Sequence, residues 1–360
     1  MGIRILVVDD SALMRRFISQ ILEESLEVEI RTARDGAEAL TKIREFDPDV
    51  ITLDINMPVM DGLTCLSQIM TEMPRPVVMV SSLTERDALS TFEALHLGAV
   101  DYVTKPGGTV SLNIRAVAKE LVSKVRAASR NAKLARLRQR HRSLEPPSSS
   151  PAPTAAKRRS SVLRRPGPVR LVLIGVSTGG PGTLEEILPK LPAAFPAPIV
   201  IAQHMPGTFT RVFAERLDTV CALKVEEIQK RSKLEAGHVY IAAGDADVEV
   251  SRLGLGPVAT SVPEDPELPW HPSVDRMVRT AVSQLGAEML VGVLLTGMGD
   301  DGAAAMKDLH DQGGRTIAES EETAIIYGMP HELIERDGAN VVLPCQSIAD
   351  QLISWSGFKE

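Results

Sequence analysis

The sequence predicts an α/β protein built from two parallel-sheet units in tandem. Three observations carry this. Short apolar runs alternate with helix-period segments through residues 1–125, the alternation resumes at about residue 169, and the stretch between cannot bury a core. A length of 360 residues suits two domains and a linker.

In the first unit the expected strands are Ile3–Val8, Val28–Thr32, Val50–Asp54, Pro76–Ser81 and Asp101–Lys105, with helices such as Leu13–Glu24 and Ala37–Glu45 between them. Five strand–helix repeats imply a parallel sheet covered on both faces, and such sheets bind ligands at the carboxyl ends of their strands. Residues 126–168 hold Arg126, Arg130, Lys133, Arg136, Arg138, Arg140 and Arg142, then EPPSSSPAPTAA, then further Lys and Arg, with Glu145 the only acid. The Pro/Ser/Ala middle is a linker, and the first basic part is expected to continue the preceding helix. From 169 to 360, strands are expected at Arg170–Val176, Pro198–Gln203, Val239–Ala243, Met289–Thr296, Arg315–Ala318 and Val341–Leu343. Helices are expected at Gly182–Leu191, Phe209–Leu217, Val274–Leu285, Gly302–Gln312 and Ser347–Trp355.

Composition narrows the function. Hydrophobic residues make up 44% of the chain but aromatics only 3%, so the cores must be aliphatic. There is no run of about 18 apolar residues to span a membrane, and Met1–Asp10 is too short and acidic for a signal peptide. Cys65, Cys221 and Cys345 form no CxxC pair and fit free thiols in a reducing cytoplasm. A net charge of −7 argues against a nucleic-acid partner.

Two constellations of strand-end residues carry chemistry. Asp9 and Asp10 end the first strand and Asp54 the third, so three carboxylates converge on one pocket. Magnesium is the natural partner for such an oxygen site, and Asp54 is the candidate phosphoryl acceptor. Ser81 and Lys105, ending the fourth and fifth strands, would meet the phosphoryl oxygens. One acid at a strand end is an ordinary cap; five such residues at successive ends are not.

In the second unit Gly175-Val176-Ser177-Thr178-Gly179 satisfies G-x-S-x-G at a strand-to-helix turn, which exposes a serine hydroxyl beside helix N–H groups. His204 follows the next strand, and Asp300 and Asp301 follow a later one. Ser, His and Asp at three strand ends can form a triad, with His204 as base to Ser177 and one of the aspartates orienting the ring. The segment Gly297–Gly302 also fits the dinucleotide fingerprint, but its two aspartates would repel a pyrophosphate. The order Ser…His…Asp also differs from that of α/β-hydrolases.

VVDDSALMRR, LDINMPVMDGL, VMVSS and YVTKP resemble response-regulator receivers. GVSTGG, IAQHMP, PSVD, LLTGMGDDGAAAM and AIIYGMP resemble the catalytic domain of the chemotaxis protein-glutamate methylesterases, the CheB family. The resemblance implies a flavodoxin-like receiver at 1–125, a linker at 126–168 and a three-layer α/β/α Rossmann-like methylesterase domain at 169–360. It also implies a role for the Asn56 carbonyl toward magnesium, an often cis peptide at Pro106, Asp301 as triad acid, and Thr178 and the Met298 backbone near the oxyanion. The implied protein is a cytoplasmic serine carboxylesterase with protein-glutamine glutaminase activity, phosphorylated by a CheA-type histidine kinase. It would act on methyl-accepting chemoreceptors, reaching the membrane only through them, with no metal in the esterase site. The family usually has Arg before PSVD; here Trp270 and His271 stand there. The competing readings are a non-catalytic, phosphate-gated binding module and the same enzyme in another signalling pathway.

Overall fold

The computed structural model describes residues 2–105, 117–130, 170–254 and 256–358. Pro106 and residues 131–168 of the expected linker lie outside the described residues.

In the first half, β1 (Ile3–Val8), β2 (Val28–Ala33), β3 (Val50–Asp54), β4 (Val77–Ser81) and β5 (Asp101–Thr104) form a parallel sheet in the order β2-β1-β3-β4-β5. The helices are α1 (Ala12–Ser25), α2 (Gly36–Phe46), α3 (Gly62–Glu72), α4 (Glu85–His96) and α5, described over 117–130. Residues 126–130 thus continue this helix, as the sequence suggests. Each of the first four starts where a side-chain oxygen (Ser11, Asp35, Asp61 or Thr84) accepts a hydrogen bond from a first-turn N–H. Val8 pairs with Leu53, which brings Asp9 level with Asp54 at the carboxyl edge.

The second half has a seven-stranded parallel sheet in the order β15-β14-β13-β6-β7-β10-β8. Its strands are β6 (Leu171–Val176), β7 (Ile199–Gln203), β8 (Lys224–Ile228), β10 (His238–Ala242), β13 (Leu290–Leu294), β14 (Arg315–Glu319) and β15 (Val341–Leu343). One face packs against α6 (Gly180–Ile187), α7 (Gly207–Val220) and α11 (Cys345–Ser356) through Val172, Ile174 and Val176. The other packs against α8 (Val274–Leu285), α9 (Ala303–Asp311) and α10 (Met329–Glu335) through Leu171 and Leu173. The three layers match the expected class. The sheet changes direction at β6, whose neighbours are β7 and β13, and a ligand cleft is expected at such a switch point.

The sequence reading passed over β8, α10 and an antiparallel sheet of β11 (Asp247–Leu253), β12 (Gly256–Val262) and β9 (Arg231–Lys233). These are edge or one-sided elements. In β8 only Val225 and Ile228 are buried, and two adjacent glutamates break the apolar run; β12 opens on Gly-Pro and β9 has no apolar residue.

The two halves share an apolar core. Phe92 of α4 stacks on Phe213 of α7 (5.1 Å between ring centroids, 19°) and meets Phe209 edge-on (6.1 Å). Tyr102 of β5 lies flat on Phe209 (4.8 Å, 4°). Glu85–Arg211, at 2.7 Å, lies at the rim.

Close approach of the chain to itself shapes the carboxyl edge of the first sheet. A Cβ at Gly62 would lie 2.1 Å from the Asp54 carbonyl oxygen, whereas one at Gly182 on α6 would meet nothing within 4 Å. Gly62→Ala is therefore expected to destabilise the protein by about 2 kcal/mol through forced backbone movement. Gly182→Ala should be neutral or stabilising by up to about 1 kcal/mol. Urea midpoints of the two variants check the contrast.

Candidate active site

Ser177 sits one residue beyond β6, at the entry to α6. Gly179, with φ of +78°, makes the left-handed turn into the helix. The turn is tied down from beneath. Ser177 N donates to the Thr296 carbonyl (3.0 Å), Thr296 Oγ1 donates to the Thr178 carbonyl (2.8 Å), and Gln203 Nε2 donates to the Ser177 carbonyl (3.0 Å). Thr296 N in turn donates to Glu319 Oε2 (2.8 Å). Burial pushes the Glu319 carboxyl up, against the hydrogen bonds from Thr323 and Thr296. Gln203, Thr296 and Glu319 are all buried, and none was singled out from the sequence. A polar residue next to a strand end is common, and only the register of β6, β7, β13 and β14 makes these into one brace.

His204 follows β7, and its Nε2 lies 2.8 Å from Asp301 Oδ2. Its Nδ1 is buried and makes no hydrogen bond. Asp301, not Asp300, faces the imidazole; Asp300 is exposed and lies 3.6 Å from Arg336. The Asp301 carboxylate also accepts from Val274 N (2.8 Å), Asp275 N (3.0 Å) and Ser273 Oγ (3.3 Å) at the start of α8. Burial works to raise its pKa, but His204 and the two N–H groups prevail and hold it below the usual carboxylate range. The Gly297–Gly302 segment is thus a carboxylate-presenting turn, its second aspartate committed to protein donors.

Ser177, Thr178, His204, Trp270 and Met298 line a cavity of about 640 Å³. Part of its wall comes from the first half of the chain, from Asp101, Glu120 and Lys124 among others. Asp101 Oδ2 accepts a hydrogen bond from Gly179 N (3.3 Å), at the N-terminus of α6. Burial pushes the Asp101 carboxyl up, opposed by Lys124, whose ammonium is 3.4 Å away. Ser123 of α5 touches the Met298 sulfur. Asp101 carries no local signal of this contact, because its partner lies 78 residues away in the other half.

At the carboxyl edge of the first sheet, carboxylate oxygens of Asp9, Asp10 and Asp54 lie within 4.8 Å of one another. Lys105 Nζ bridges Asp9 (2.9 Å) and Asp54 (2.8 Å). Asp9 Oδ2 has this ion pair but no directed hydrogen bond. Burial pushes Asp54 up, against the Lys105 ammonium. Three carboxylates with one ammonium fit a hard divalent cation. The Ser81 hydroxyl is buried and accepts from Thr91 Oγ1 (2.9 Å). Asn56 is exposed, its Nδ2 donating to Asp87 Oδ1 (2.8 Å).

Residues 172–352 match the family model described as CheB methylesterase, and residues 5–116 that of a response regulator receiver domain. The chain is 53% identical to protein-glutamate methylesterase/protein-glutamine glutaminase 3 of Rhodospirillum rubrum, over 98% of this chain and 96% of the relative. The chain belongs to the CheB methylesterase family. A second relative, protein-glutamate methylesterase/protein-glutamine glutaminase 2 of Rhodopseudomonas palustris, is 51% identical over 98% of both chains. Among solved structures, the CheB methylesterase catalytic domain of Thermotoga maritima is 39% identical with a TM-score of 0.50, covering 52% of this chain and 98% of that one. The first sheet described above lies in the receiver match and the second in the methylesterase match. No helix among the described residues is long and apolar enough to cross a membrane.

Removing the Asp301 carboxylate leaves the buried His204 and α8 donors unpaired. Asp301→Ala is expected to cost about 3 kcal/mol at pH 7, and Asp300→Ala within about 0.5 kcal/mol of nothing. Because the folded pKa of Asp301 is depressed, its contribution is present above the ordinary aspartate value and lost as pH falls through the folded one. The stability gap between wild type and Asp301→Ala should therefore narrow in acid, as denaturant titrations at several pH values would reveal.

Proposed function

We propose that this protein is a phosphorylation-gated methylesterase that hydrolyses glutamyl methyl esters of chemoreceptors and also deamidates their glutaminyl side chains, in sensory adaptation. The reading is supported most by the 2.8 Å contact of His204 with Asp301 and by the cavity that His204 and Ser177 line together with residues of the receiver.

The geometry supports the following chemistry. Asp301 accepts from Nε2 of His204, which fixes the neutral tautomer and leaves Nδ1 as the base. Ser177 Oγ gives its proton to Nδ1 as it attacks the γ-carbonyl of the glutamyl ester. The N-terminal turn of α6, with Thr178 and the Met298 backbone, faces the developing oxyanion. Methanol leaves with the proton from His204; water, activated by the same ring, then releases the glutamate carboxylate and restores Ser177. For a glutaminyl side chain the leaving group is ammonia, which demands more of His204 as acid.

In the receiver, Asp54 is the phosphoryl acceptor and a CheA-type histidine kinase the donor. Asp9, Asp10 and Asp54, with the Asn56 carbonyl, would hold magnesium, which when bound offsets the charge of the incoming phosphoryl group. Lys105 and Ser81 meet that group's oxygens. To do so, the Ser81 hydroxyl must leave Thr91 of α4, the helix that carries Phe92 into the interface. The work is cytoplasmic, and contact with the membrane is through receptors alone. The domain limits 1–125, 126–168 and 169–360 belong to the same reading, with the last receiver helix running on to residue 130.

Closure is the repressed state in this account, since Asp101 takes the Gly179 N–H beside Ser177. Three outcomes test the proposal, read as methanol release and, for the receiver, as phosphoryl labelling. Ser177→Ala and His204→Ala should nearly abolish turnover, and Asp301→Asn should cost on the order of 10³- to 10⁴-fold; full activity in Ser177→Ala would leave only a binding module. Asp54→Asn should lose magnesium-dependent phosphorylation and the activation that follows, and label on another residue would refute the acceptor. Asp101→Ala, or a fragment beginning at Val169, should exceed the unphosphorylated full-length rate by roughly 5- to 150-fold, a coupling of about 1–3 kcal/mol. Equal rates on a small methyl ester would mean that the receiver does not occlude the site.

A further inference from the structure

Trp270 takes no part in the triad chemistry, yet its side chain is set against it. The half-buried indole lies parallel to the His204 imidazole, with ring centroids 5.5 Å apart and planes 7° from coincidence. This is the offset-stacked arrangement that aromatic quadrupoles favour. The other edge of the indole rests on Gly299. A Cβ there would stand 3.4 Å from Cζ2 and Nε1, at ordinary van der Waals contact, so the indole edge lies directly against this turn. Trp270 is thus held between the turn that presents Asp301 and the ring that Asp301 orients.

The chain just after Trp270 is fixed firmly. His271 Nδ1 lies 3.0 Å from Asp247 Oδ1, and Ser273 N donates to the same oxygen (2.7 Å). Asp247 is itself buried and accepts from Arg276 (2.9 Å). Hydrogen bonds from these partners outweigh burial and hold the Asp247 carboxyl below its ordinary range. One turn of sequence, 270–275, therefore anchors at Asp247, at Asp301 and on the His204 face.

A single hydrogen bond at Nε2 fixes one point of an imidazole but not the plane of the ring, which can still turn about that contact. The terminal torsion of histidine is broad, so little intrinsic preference holds it. A second restraint is needed if Nδ1, buried and without a partner, is to stay turned to the cavity. We propose that Trp270 supplies it: a positioning residue whose indole face locks the His204 plane so that Nδ1 remains available to Ser177. The inference rests on the triad reading above. The requirement is for a flat aromatic face, so phenylalanine should serve and alanine should not.

The test uses the full-length protein activated with beryllofluoride, a receptor fragment carrying glutamyl methyl esters, and methanol release. Trp270→Ala is expected to lower kcat about 10- to 100-fold, the scale of a misplacement near 1 Å, with KM within about twofold of wild type. Trp270→Phe should stay within about threefold in kcat. Ring ¹⁵N signals of His204, recorded without substrate, give a second readout. Wild type and Trp270→Phe should show sharp ring signals of one orientation, and Trp270→Ala signals broadened by motion of the ring plane, with the proton still on Nε2 in all three. A rise in KM alone, an equal loss in the alanine and phenylalanine variants, or unchanged ring signals in Trp270→Ala would overturn the proposal. Failure of the esterase reading is separate: it would appear as wild-type activity in Ser177→Ala, and the ring signals would then decide the stack by themselves.

Discussion

The second domain is organised around one buried carboxylate. Asp301 lies in the turn after β13, out of water, where a lone charge would be untenable. It is tolerable because two separate stretches of chain converge on it with donors: the loop after β7 through His204, and the start of α8 through two backbone N–H groups and Ser273. Satisfying one anion thereby sets the distance between β7, β13 and α8. The cavity that lies among them inherits its shape from that constraint, and so does the orientation of the imidazole. Asp275, next in line on α8, repeats the device on a smaller scale by accepting from Gly302 N and Ala305 N at the head of α9.

The receiver uses the same logic with opposite sign. At its carboxyl edge three carboxylates face few cations among the described residues: Lys105 bridges Asp9 and Asp54, with Asp10 beside them, and Arg15 meets only the Asp9 and Asp10 carbonyls. Asp301 is fully met by the protein, whereas Asp9, Asp10 and Asp54 are left short of positive charge among the described residues. On the proposed reading, that difference separates a fixed catalytic support from a site that takes up an ion and a phosphoryl group. The path between the two sites is short in structural terms. Ser81 is bonded to Thr91, which precedes Phe92 on α4, and Phe92 packs on α7, the helix that follows His204.

Much of this was legible in the residues themselves. The strand ends bearing Asp9, Asp54, Ser81, Lys105, Ser177 and His204 were readable because buried parallel strands are continuous apolar runs, and the residue that breaks each run marks the edge. Asp300 and Asp301 were not separable by periodicity, since both sit in one glycine-flanked turn; only the resemblance favoured Asp301, and in the structure it is Asp301 that is buried. What stayed hidden depends on contacts between distant segments. Gln203, Thr296 and Glu319 read as ordinary polar residues until register stacks them. Asp101 reads as a strand start. The edge strand β8 shows too few buried positions to stand out from a charged helix surface. Trp270 was visible as a departure from the family, but its stacking partner was not.

Aromatic side chains are scarce in this chain, and the interface between domains concentrates them: Phe92, Tyr102, Phe209 and Phe213 all meet there. A contact of that kind draws its strength from the release of ordered water, a driving force that fades on cooling. The hold of the receiver on the esterase therefore loosens in the cold, while the bond-making steps slow. If closure is the repressed state, as proposed, these two trends oppose each other, and the interface gives the enzyme a thermal compensation that a charge-paired one would lack.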